Sequence, residues 1–126
     1  MLEGFKIFDF NDGKPYVSIT KNGLNFNSIA IKTIGYPEHV MFLTNEEAKQ
    51  IAIQVCDSAN SHAVQFYKEK KSGLVSVRWN GRELLKKIYE MMGWEYPIES
   101  YRVDGKLLQE EHAMIFDLKN ARRINN

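Results

Sequence analysis

The strongest chemical signal in this chain is a run of cations threaded with aromatic rings. Lys68, Lys70, Lys71, Arg78, Arg82, Lys86 and Lys87 crowd one stretch, with Phe66, Tyr67 and Trp79 among them. Cations at this density suit phosphates, and rings set between them can stack or wedge against bases. The expected site is therefore a nucleic-acid contact made by Lys68, Lys70, Lys71, Arg78, Trp79, Arg82, Lys86 and Lys87. The competing reading is a solvated tip and a solvated helix face. The tail adds Lys119, Arg122 and Arg123, at a terminus expected to fray.

Other fragments offer less. Ser18-Ile19-Thr20-Lys21 matches S-x-x-K, but on a strand residues three apart point to opposite faces. Neither a P-loop nor G-x-G-x-x-G occurs. His39, His62 and His112 are scattered, and with Cys56 they show no metal-ligand spacing. Cys56 and His62 could form a thiol–imidazole pair, although such a cysteine more often ends a strand as a small hydrophobe. Glu46-Glu47 and Glu110-Glu111 read as solvated turn acids. The chain is accordingly read as non-enzymatic, with no catalytic, cofactor or metal residue assigned.

Charge narrows the partners further. Across 126 residues, 17 basic side chains face 16 acids, for a net +1. That is far from the strongly basic balance of a protein that holds nucleic acid by charge alone. The distribution is uneven: residues 1–58 hold 5 cations and 7 acids, whereas residues 59–126 hold 12 and 9. An anionic partner should meet the second half. Cys56 is the single cysteine, so no internal disulfide can form. The longest central apolar run, Val40-Met41-Phe42-Leu43, is much too short to cross a bilayer. A cytoplasmic protein with no membrane partner is expected.

These residues need elements to hold them, and the elements read as a repeat. A shift of 58 lays Val17-Ser18-Ile19 on Val75-Ser76-Val77, Asn22-Gly23 on Asn80-Gly81, and Ile34-Gly35-Tyr36 on Met92-Gly93-Trp94. The first copy reads as strands over 5–10 and 16–20 around an Asp12-Gly13 turn, then a helix over 27–34 closed by Gly35. Strands over 40–44 and 50–55 follow, the second alternating Ile51, Ile53 and Val55. In the second copy, strands over 63–68 and 74–79 precede a helix capped by Asn80 with Glu83 as its capping-box partner. That helix carries the stripe Leu84, Leu85, Ile88, Met91 and Met92, and Gly93 ends it. Strands over 101–103 and 113–118 then flank an insertion over 104–111. The fold class expected is α+β: one domain over 1–126, built from two ββαββ repeats, 1–57 and 63–126, about a pseudo-twofold. Neither repeat has core enough alone.

The stretch from Gly23 to Gly35, followed by residues 40–55, resembles the swapped-hairpin AbrB/SpoVT-type DNA-binding domain, and a duplicated chain resembles its tandem, MraZ-like members. The family's apolar–proline pair before the helix reads Phe26-Asn27 here, and Arg82 lies near the position of its helical arginine. The resemblance implies a DNA-binding protein of the transcription-regulator kind. The alternative reading is a protein-binding module, a small inhibitor or adaptor, using the acidic first half. Expected partners are DNA, another protein or a second copy of the chain.

Overall fold

In the computed structural model, which describes residues 2–6, 13–73 and 75–124, β1 (Tyr16–Thr20) buries Val17 and Ile19 and leaves Tyr16, Ser18 and Thr20 partly exposed. This is the period-two pattern of a strand covered on one face. The chain reverses at Lys21 and Asn22 into β2 (Gly23–Phe26), pairing Thr20 with Gly23 and Val17 with Phe26. Asn27 then serves two elements. Its Oδ1 accepts from the Ala30 amide, capping α1 (Ser28–Ile34), and from the Tyr16 amide, while its Nδ2 donates to the Lys14 carbonyl. A short polar side chain is favoured there because a helix start leaves amides without partners. Gly35 closes α1 in the left-handed conformation, φ +93.

The β3 (His39–Asn45) and β4 (Gln50–Val55) hairpin lies where the alternation puts it, with Ile51 and Ile53 buried. Two short strands follow, β5 (Val64–Gln65) and β6 (Val77–Trp79), then α2 (Arg82–Met92). β7 (Ser100–Leu108) and β8 (Ala113–Asp117) form the next hairpin. A single 3-10 turn, Leu118–Asn120, leads into β9 (Arg122–Ile124).

All nine strands belong to one sheet, ordered β5-β3-β4-β8-β7-β1-β2-β6, with β9 against β7. Every pairing is antiparallel. β7 is the hinge of this arrangement. Residues 101–104 pair with β1, residues 105–108 pair with β8, and residues 100–102 pair with β9 on the edge opposite β1. The sheet curls into a half-barrel around one apolar cluster that includes Phe26, Ile53, Ile88, Val103 and Phe116. No helix among the described residues is long and apolar enough to cross a membrane.

This architecture overturns the α+β reading of two ββαββ units about a pseudo-twofold. The structure is a mainly antiparallel half-barrel with two helices. Residues 63–68 and 74–79 do not form a hairpin: β5 pairs with β3, and β6 pairs with β2. The 58-residue shift lays β2 on residues 81–84, where α2 begins. The presumed insertion after Val103 is mostly strand, since β7 runs on to Leu108. Physically, both halves bury their apolar strand faces in one core, and ladders cross between them in β1–β7, β2–β6, β3–β5 and β4–β8. Neither half therefore keeps a sheet of its own. The expected first strand and its Asp-Gly turn lie mostly outside the described residues; Phe5 and Lys6 are exposed and belong to no strand.

α2 also differs in detail. Its N-cap is Gly81, with no side-chain bond, instead of Asn80. The fully buried positions are Leu85, Ile88 and Tyr89, while Leu84, Met91 and Met92 are half-buried. The apolar face is thus rotated to take in Tyr89, whose hydroxyl donates to the Glu99 carbonyl at 2.6 Å. Burial pushes the Tyr89 hydroxyl up to about 12. Gly93 closes the helix at φ +69, as Gly35 closes α1.

Candidate nucleic-acid interface

The cations singled out from the sequence fall into three groups. Lys87 is paired: it forms an exposed ion pair with Glu46 of the β3–β4 turn. Each partner favours the other's charged form, chiefly through their hydrogen bond, so Glu46 is lowered and Lys87 raised. Beside it the Lys49 ammonium donates to the Met91 carbonyl at 2.8 Å, meeting the negative end of α2. Arg82 and Lys86 stand exposed one turn apart on α2. Lys68, Lys70 and Lys71 are exposed in the segment after β5, and Arg78 is exposed on β6.

The curl of the sheet brings the two parts of the last group together, Lys68 and Lys70 after β5 and Arg78 on β6. β5 and β6 are the ends of the strand order, and no ladder joins them among the described residues. They are tied instead by one side chain, the Trp79 indole N–H donating to the Gln65 carbonyl at 3.2 Å. A cleft of about 250 Å³ follows this seam, lined by Lys68 and Lys70 on one side and Arg78 and Trp79 on the other. Trp79 itself packs edge-on with Phe26, Phe42 and Phe66, so it forms the cleft wall and is not a free stacking platform. Among the described residues no ion pair engages Lys68, Lys70, Lys71, Arg78, Arg82 or Lys86.

No family model, curated protein or solved structure matches this chain. The site must be read from its own chemistry.

One part of it escaped the sequence. Tyr36, directly after the helix-ending Gly35, is 45% exposed. Its ring meets Tyr67 edge-on at 5.2 Å. Main-chain bonds hold the pair: beyond the β5–β3 ladder, Phe66 donates to Glu38 and Tyr67 donates to Pro37. The only forewarning was Gly-Tyr-Pro after a helix, a turn signal that says nothing about ring exposure.

The catalytic fragments remain apart. Ser18 sits in β1, paired with Asn25 and Arg102, and Lys21 is exposed in the turn. His62 engages Asn60 and Ser61, and among the described residues no hydrogen bond links it to Cys56. No group of three or more His, Cys, Asp or Glu that could hold a metal occurs among the described residues.

A second polar cluster braces the end of α2. Glu99 accepts from the Glu95 amide and from the Tyr101 hydroxyl at 2.7 Å, with Arg123 at 3.6 Å. The amide bond first, then the hydroxyl, holds its carboxyl below the usual 4.5. A carboxylate with a lowered native pKa stabilises the fold above its unfolded value, and this is lost as pH falls through the native value. Acid titration of stability should therefore show a loss starting near pH 4.5, and Glu99→Gln should blunt it. An unchanged acid limb in the variant would remove Glu99 from that role.

Proposed function

We propose that this chain is a non-catalytic DNA-binding protein, of the kind that regulates transcription, and that its contact surface is the seam and the adjoining face of α2. One observation carries the reading: between residues 63 and 88 seven cations face two acids, while the rest of the chain holds ten cations against fourteen acids. A nearly neutral protein thus concentrates its positive charge in one stretch of chain, and six of the seven cations there have no ion pair among the described residues. Phosphate contacts supply most of the affinity such a surface can have and release condensed counterions. The acidic remainder would turn the seam toward DNA by repelling it elsewhere. The acids of the first half, which a protein-binding module would use, are partly spent internally, as in Glu46 with Lys87.

Charge reversal tests this directly. Changing Lys70, Lys71 and Arg82 to Glu should weaken DNA binding by about 10–100-fold at moderate salt. The magnitude of the slope of log K against log salt should fall by roughly 0.9 for each phosphate that is no longer neutralised. Changing Lys6, Lys14 and Lys32, which are exposed and outside this surface, should do far less. Equal losses from both triples, or binding indifferent to salt, would end the proposal.

A further inference from the structure

Beside the seam cleft lies a larger pocket, about 470 Å³, whose walls include Tyr36, Glu38, His39, Tyr67 and Glu69. Gln65 and Lys68 line both spaces. The chemistry changes across that shared boundary. On the seam side are Lys68, Lys70 and Arg78; on the pocket side two rings stand with two carboxylates. Phosphate is drawn to the first and less to the second, where Glu38 and Glu69 offset the shared Lys68. A nucleobase has the opposite preference: its faces suit aromatic rings, and N–H donors on its edge suit carboxylate acceptors.

Tyr36 also holds an uncommon backbone. It takes φ +54, the left-handed region, directly after Gly35 at φ +93. A bulky aromatic residue is strained there, and such strain persists where the surroundings hold it, often at binding sites. Here the Tyr36 amide donates to the Ile31 carbonyl at 2.9 Å and the next residue is Pro37, so the helix end fixes the ring at the pocket rim.

We propose that the nucleic acid engaged by the seam is single-stranded, with one base seated in the pocket against the exposed ring of Tyr36, which Tyr67 braces edge-on, and its flanking phosphates on Lys68, Lys70 and Arg78. This rests on the DNA-binding reading above and narrows its substrate. A base stacked and paired inside a duplex cannot enter the pocket without being unstacked, whereas a base in a single strand is available. Sequence tolerance follows, because every base has a face to stack and a donor on its edge.

The test uses the full chain and three labelled probes of one length: a single-stranded oligodeoxynucleotide, the matching oligoribonucleotide and the DNA duplex. Fluorescence anisotropy at low and moderate salt should give single strands at least about tenfold tighter than duplex. Tyr36→Asn removes the ring but keeps a residue that tolerates positive φ. It should lower single-strand affinity by about 5–100-fold and bring the single-strand to duplex ratio close to one, with an unchanged melting temperature confirming the fold. DNA favoured over RNA would support both readings, and RNA favoured over DNA would keep the base pocket but overturn the DNA-binding reading. Duplex bound as tightly as single strand, with Tyr36→Asn equal to the parent, would overturn the base pocket and leave the DNA-binding reading standing. Failure of all three probes to bind would overturn both.

Discussion

Phe26→Ala is expected to lower stability by about 3–5 kcal/mol, the range for deleting a buried phenyl ring. Phe26 is fully buried at the end of β2 and meets three other rings edge-on: Phe66 at 5.2 Å, Trp79 at 5.2 Å and Phe116 at 5.7 Å. Those rings come from beyond β5, from β6 and from β8, which are distant from one another in the strand order. Phe26 is therefore the point at which the two ends of the curl meet the middle of the sheet. Its loss removes apolar burial, leaves a cavity and dissolves three edge-to-face pairs at once, each worth about 0.5–1.5 kcal/mol beyond its area. For a chain of this size the melting temperature should fall by roughly 10–20 °C. Thermal unfolding followed by circular dichroism measures it, and Phe26→Leu should cost far less because volume is largely kept. A drop of only a few degrees for the alanine variant would mean that the curl closes without this ring.

Gly23→Ala should rank with it, by a different mechanism. Gly23 takes φ +138, and a Cβ there would lie 2.3 Å from the Trp79 carbonyl oxygen and 3.1 Å from the Asn80 Cα. Both obstacles are main chain, so no rotamer change relieves them. The strained dihedral costs about 1–3 kcal/mol and forcing β6 away from β2 about as much again. A useful reference is Gly13→Ala, where φ is +84 but nothing lies within 4 Å. That variant carries the dihedral strain without the collision. Urea unfolding of the two should differ by about 1–3 kcal/mol, with Gly23→Ala the weaker. Equal midpoints would show that β6 moves aside freely, and the β2–β6 pairing would then be too loose to hold Arg78 in place.

Local patterns locate elements where a single interpretation fits the residues. The alternation of Ile51 and Ile53 marks β4, and the glycines at 35 and 93 mark both helix ends. Expectation and structure part where one pattern serves two structures. Asn22-Gly23 suits a strand-to-helix junction as well as the β1–β2 hairpin it forms. Asp104-Gly105-Lys106 looks like a turn, yet it continues β7, because Gly105 sits where a side chain would strike Met114 and Phe116. Pairings such as β4 with β8 depend on which apolar face closes over which, and nothing local encodes that. The site divides in the same way. Its cations are neighbours in sequence and so are visible there; Tyr36 and Tyr67 become neighbours only through the β5–β3 register, so their pocket is not.

The brevity of the two outermost strands has a consequence for how the protein behaves in a crowd. A half-barrel that fails to close leaves two rows of main-chain donors and acceptors, the usual template for copying one chain onto another. Here the outermost strands are two and three residues long, and beyond β5 the strand β3 runs on from Met41 to Asn45 with a ladder to β4 alone among the described residues. Of the outermost strands, β5 is crossed by the Trp79 indole and β6 carries Arg78, whose charge an incoming identical strand would also carry. Polymerisation through β5 or β6 would gain few backbone bonds, and at β6 it would bring like charges together.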